Sequence, residues 1–193
     1  LHDLGILDTA PEQAFDALVQ AAAVVCNVPI SLISLVDPER QWFKANVGLP
    51  GVTETPRALA FCAHAILSDE ILEVPDATAD VRFADNALVT GNPDIRFYAG
   101  VPLRLGDGTP AGTFCVIDRV PRQLTEQQRD ILTHLAAAAV HALEGRRAIE
   151  HERQLHLEAQ RTAQILAENE LRFRALSEVS PLGVFATDAH GAC

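Results

Sequence analysis

Phe15, Leu18, Val19, Ala22 and Val25 recur at helical spacing behind Pro11-Glu12-Gln13, so the chain opens with an amphipathic helix. Proline suits a first helical turn, and Asp8 or Thr9 stands where a capping side chain belongs. Asn27 ends the helix and Pro29 cannot continue it. The period then changes. Ile30-Ser31-Leu32-Ile33-Ser34-Leu35-Val36 is short and rich in branched residues, as a buried strand is. Gln41 to Val47 alternates as a second strand, and Asp37-Pro38-Glu39-Arg40 turns one into the other as a hairpin.

Gly48, Pro50 and Gly51 break the pattern, so the segment up to Arg57 is expected to be loop. Leu59 to Leu67 predicts a short helix carrying Cys62 and His64, and Ile71 to Val74 a brief strand. Residues 75–96 are polar and irregular, with Phe83 and Leu88 to anchor them from inside. A loop of that length in a compact domain is usually either functional or disordered. Phe97–Leu105 and Ala111–Asp118 read as two strands joined across Asp107-Gly108, a strong hairpin signal, with Pro102 marking an edge or a bulge. Thr125-Glu126-Gln127-Gln128 carries the capping-box pattern and starts a second amphipathic helix with Ile131, Leu132, Leu135, Ala138, Ala139 and Ala142 on one face. No proline interrupts Gln123 to Ser180, so this helix can continue through Arg174, about 70 Å at the usual rise. The element order predicts an α+β fold, an antiparallel sheet flanked by helices with a long helix at its C-terminal side.

Composition narrows the function classes. A net charge of −11 with no basic cluster argues against nucleic acid. The absence of an 18-residue apolar run argues against a membrane span within these residues. Cys26, Cys62, Cys115 and Cys193 form no Cys-x-x-Cys pair, which points away from zinc and disulfides and toward a reducing cytoplasm. The chain contains no Met, and Leu182 to Asp188 reads as a strand with nothing following it. A lone strand cannot satisfy its edges, so a domain cut off at Cys193 is expected.

Several runs then stand out together. Leu7-Asp8-Thr9-Ala10-Pro11-Glu12, Val28 to Asp37 and Arg40-Gln41-Trp42-Phe43-Lys44 resemble bacterial GAF sensor domains. So do Phe61-Cys62-Ala63-His64-Ala65-Ile66, Arg82-Phe83-Ala84-Asp85-Asn86, Ile95 to Leu103 and Gly112 to Asp118, in register over residues 1–143. Glu170 to Leu176 with Ser180 to Asp188 resembles the entry to a PAS domain. The resemblance implies a GAF domain over 1–143, a helical connector over 144–174 and the start of a PAS domain over 175–193. It also implies a regulatory module of a histidine kinase or diguanylate cyclase type of protein, not itself an enzyme. No Gly-Gly-Asp-Glu-Phe run or phosphoacceptor histidine box occurs in these residues.

In the family, a small ligand is cupped between the sheet and the helix and loop over one face. The resemblance therefore directs attention to Cys62, His64, Asp76, Arg82, Phe83, Arg96, Phe97, Tyr98 and Cys115. Asp76, Arg82 and Arg96 have a plainer role open to them, holding the backbone of the long loop. Positions i and i+2 of a helix do not share a face, so Cys62 and His64 make a poor chelate and no metal is expected. The ligand and any cofactor stay unidentified. Glu168–Arg172 and Glu170–Arg174 are helix-supporting i,i+4 pairs. Ile149, Ala159, Ala163, Leu166 and Phe173 fit one heptad frame, while Leu155, Ile165 and Leu176 fit its neighbour. A homodimer through a weak or register-shiftable coiled coil is the expectation, with a solvated spacer helix as the alternative.

Overall fold

The computed structural model describes residues 5–179. Two compact units divide between Arg147 and Ala148. In the first, six antiparallel strands run β1 (Ile30–Val36), β2 (Arg40–Val47), β3 (Glu54–Pro56), β4 (Leu72–Val74), β5 (Phe97–Arg104) and β6 (Pro110–Asp118). Their order across the sheet is β3-β2-β1-β6-β5-β4. Helices α1 (Gln13–Cys26) and α4 (Glu126–Val179) lie before and after the strands; α2 (Phe61–Ala65) and α3 (Ala87–Thr90) are single turns between them.

Central position explains why β1 is buried along its whole length. Ile33 and Leu35 join a core with Phe15, Val19 and Ala22 of α1 and Leu132, Ala136, Ala139 and Leu143 of α4. Ile30, Leu32 and Val36 join a second core with Phe61, Ala65, Phe83, Val89 and Ile95. Apolar residues on both faces of one strand mean that both faces of the sheet are covered.

The helix ends differ from expectation. Neither Asp8 nor Thr9 caps α1: Asp8 pairs with Arg40, and the Thr9 hydroxyl donates to Ile6 O. Glu12 occupies the cap position without a capping bond, because Lys44 and Arg146 hold its carboxylate. Cys26, not Val25, completes the buried stripe, and Asn27 closes the helix in the left-handed region at φ 49°. In α4 the box forms as expected, Gln128 N–H donating to Thr125 Oγ1 at 3.2 Å and Thr125 N–H to Gln128 Oε1 at 3.0 Å. Its buried stripe is Leu132, Ala136, Ala139 and Leu143, and Ala138 faces out.

The expected loop after Gly48 contains β3, paired to Arg40–Trp42, and the long loop contains α3, capped by Asn86 Oδ1 accepting from Leu88 N–H. Pro102 lies beyond the end of β4, which pairs only with Tyr98, Ala99 and Gly100, so its nitrogen faces a locally free edge. In the second unit the helix continues without interruption, and residues 151–175 are exposed throughout. The PAS-like strand from Leu182 to Asp188 lies outside the described residues. Among those described, no helix is long and apolar enough to cross a membrane.

Candidate functional site

One cavity of about 190 Å³ lies on the α2 side of the sheet. Its floor is Leu32, Phe43 and Ile117; α2 and the residue before it contribute Ala60, Phe61 and Cys62. Leu49 and Val52 close it from the β2–β3 connection, and Leu88, Pro93 and Ile95 from the long loop. Such a mostly apolar hollow with a few polar groups is the ordinary form of a small-molecule site.

Two of its polar groups come from adjacent strands, and Asn92 adds a third from the long loop. Gln41 and Thr55 face each other directly across β2 and β3. Both line the cavity, and Gln41 Oε1 and Thr55 Oγ1 are buried without a hydrogen-bond partner. Gln41 is only 6% exposed. A buried acceptor left unpaired costs about 1–3 kcal/mol, so each of these oxygens calls for a partner. Trp42 and Phe43 are consecutive and both buried, which places Gln41 on the inward face with Phe43. That inward glutamine was readable in the alternation.

A second polar group lies deeper. Tyr98 O–H donates to Cys62 Sγ at 3.4 Å, and Cys62 Sγ stands 3.9 Å from Cys115 Sγ. Ser34 and Thr113, cross-strand partners on the same face, bring their hydroxyls toward that sulfur without reaching any hydrogen-bond partner. Burial works against a Cys62 thiolate, but the Cys115 thiol and the Tyr98 hydroxyl beside it act the other way and the Cys62 pKa is lowered. The Cys62 thiol beside it, together with burial, pushes Cys115 up, and burial with both cysteines pushes Tyr98 up. Gly100 makes this arrangement possible: a Cβ there would stand 2.1 Å from Tyr98 Oη, so only glycine lets the ring lie over the strand toward Cys62.

Of the nine residues chosen from sequence, Cys62 and Tyr98 line the cavity and Cys115 lies against Cys62. Phe83 stacks behind the wall, 4.0 Å from the Phe61 ring. His64 is exposed and meets Phe83 edge-on, on the side of α2 away from Cys62. Phe97 points into the opposite core with α1 and α4. The charged residues hold the loop. Asp76 accepts from Thr78 N–H and Oγ1, which keeps its carboxyl below the usual range. Arg82 pairs with Asp80 and lies over Phe83. Arg96 Nη1 donates to Val89 O at 2.8 Å and to Ile95 O at 3.1 Å. Among the described residues no group of three potential ligands gathers to hold a metal.

The profile of the GAF domain family matches residues 10–143. The chain belongs to the GAF domain family. A cyclic di-GMP phosphodiesterase of Pseudomonas aeruginosa is 45% identical over 147 residues, 74% of this chain. The chain spans only 25% of that relative's length. A domain assigned to a two-component sensor histidine kinase protein of Sinorhizobium meliloti superposes with a TM-score of 0.58 at 17% identity, covering 76% of this chain and 99% of that one. The GAF domain of an Acinetobacter phosphoenolpyruvate-protein phosphotransferase gives 0.58 at 21% identity, covering 78% and 91%. At such identities the structures establish the fold, and the family match places this GAF domain in a signalling context as a regulatory element.

Proposed function

We propose that this GAF domain is the sensory module of a bacterial, cytoplasmic signal-transduction protein and binds a small molecule in the cavity beneath α2. The reading rests above all on two buried polar atoms, Gln41 Oε1 and Thr55 Oγ1, facing that cavity without partners. Buried groups of this kind normally have a partner, and a bound molecule supplies one. Cys62 and Tyr98 keep their place as ligand-facing residues, with Cys115 behind them. Asp76, Arg82 and Arg96 pass to the role of bracing the loop that forms the cavity wall.

Two copies pair through the helix beyond Ala148 and carry the signal to an output domain. Support comes from Ile149, Leu155, Ile165, Leu166 and Leu171, apolar side chains between 53% and 70% exposed on that helix. Exposed apolar series on long helices are covered by partner helices. The output is of the histidine-kinase or cyclic-dinucleotide class, and the 45% identical relative, named as a cyclic di-GMP phosphodiesterase, favours the second.

The test fills the cavity and shifts the helix in the full-length parent. Leu88→Trp occupies the cavity and should abolish the response to signal while the domain stays folded. Two residues inserted after Arg161 should disrupt output, whereas seven restore the heptad and preserve it. A filled cavity with full response defeats the ligand reading, and equal tolerance of both insertions defeats the helical relay.

A further inference from the structure

We infer that the cavity takes an uncharged, largely apolar molecule of about one-ring size bearing a hydroxyl, and that Gln41 and Thr55 read that hydroxyl. The inference rests on the proposed ligand site and specifies its chemistry.

Size comes first. An engineered protein cavity of roughly 150 Å³ encloses benzene, so about 190 Å³ holds one substituted ring and little more. Charge comes next. Among the described residues no Asp, Glu, Lys or Arg lines the cavity. The arginines nearest in sequence are engaged elsewhere, Arg40 with Asp8, Asp37 and Glu54, Arg57 with Asp37 O, and Arg96 with Val89 O and Ile95 O. An ion entering this hollow would lose its hydration with nothing opposite to replace it.

Polarity then selects the substituent. Gln41 and Thr55 are directly opposed on neighbouring antiparallel strands, the closest approach two side chains on one face of a sheet make. Cross-strand pairing therefore brings both side chains within reach of one small group, and each carries an unpaired oxygen. A hydroxyl donates to Gln41 Oε1 and accepts from the rotatable Thr55 O–H, satisfying both at once. Turning the Gln41 amide over exchanges acceptor for donor, and a hydroxyl pairs with either. A methyl in its place leaves both atoms unpaired. The deeper Tyr98 hydroxyl is already committed to Cys62, and Asn92 lines the cavity from the long loop, but Gln41 and Thr55 are the lining residues whose buried oxygens lack a partner.

The test uses the chain as it stands, with phenol, toluene and benzoate as probes and the methyl resonances of Leu88, Ile95 and Ile117 as the readout. Phenol is expected to shift these methyls and to bind about tenfold more tightly than toluene, the loss typical of one buried hydrogen-bonding group. Benzoate should leave them unmoved. Gln41→Leu and Thr55→Val, each close in volume, should bring phenol down to or below toluene while both apolar contacts persist. Toluene binding as well as phenol in the unaltered chain, or benzoate matching phenol, overturns the hydroxyl reading and leaves the ligand site standing. If no probe moves the cavity methyls, the ligand site falls as well.

Discussion

The two faces of the sheet solve the same burial problem in opposite ways. On the α1/α4 face both buried charges are answered, Asp118 by Arg122 and Lys44 by three acceptors, and Ser31 Oγ is the oxygen left unpaired there. Lys44, extruded by a bulge where Ile33 pairs with Ala45 and Ser34 with Phe43, has a side chain with no exposure. Its ammonium donates to Thr9 Oγ1 at 2.9 Å, Ala10 O at 2.9 Å and Glu12 Oε1 at 2.5 Å, and it lies 5.3 Å from the centre of the Phe15 ring. The α2 face keeps a cavity and leaves Ser34, Gln41, Thr55 and Thr113 oxygens unpaired. What separates the two faces is the cavity: the α2 face keeps one, and the proposed ligand site uses it.

Truncation should break the two faces unequally. Leu132→Ala removes a fully buried side chain from the α1/α4 core and is expected to cost about 2–5 kcal/mol in chemical denaturation. Ile117→Ala on the cavity floor should cost about 1 kcal/mol less, because its side chain already borders empty space and has fewer contacts to lose. Equal costs would erase the proposed contrast.

Glu12→Ala is the next largest perturbation. It strips the carboxylate from a buried Lys44, and since Glu12 is 38% exposed the expected loss is about 2 kcal/mol, below that for a fully buried pair. The same pair makes stability depend on acid. Burial raises the Glu12 pKa, but Lys44 and Arg146 together hold it below its ordinary 4.5. A folded pKa below the unfolded one means the stabilisation is complete above about pH 4.5 and is lost as the pH falls through the folded value. Thermal melts of the unaltered domain should therefore fall off below that pH, and Glu12→Gln should flatten this part of the profile.

The smallest effect has the opposite sign. Gln41→Leu removes a buried amide whose oxygen is unpaired and should raise stability of the free domain by up to about 1 kcal/mol while weakening ligand binding. Loss of stability in Gln41→Leu would mean that the amide has a partner and that this face is as closed as the other.

Periodicity alone carried much of the fold. The hairpin of β1 and β2, the strands β5 and β6 with Asp107-Gly108 between them, the stop at Asn27 and the Thr125–Gln128 box each depend on residues close in sequence, and each formed as those residues dictate. β3 was hidden because three residues, one of them Pro56, carry no period of their own; pairing with β2 makes them a strand. The charged candidates do not line the cavity, for a related reason. Asp76, Arg82 and Arg96 had local backbone and side-chain partners within reach, and local partners carry the smallest entropic penalty.

What the sequence determined by itself was the alternation that buries both faces of β1 and the runs that mark a GAF domain, since both are carried by neighbours along the chain. Only the tertiary structure decided which polar residues meet at the cavity. Gln41 and Thr55 lie on separate strands, and Cys62 and Cys115 are 53 residues apart. Their meeting depends on strand register and on how α2 settles over the sheet, long-range contacts that no local pattern encodes.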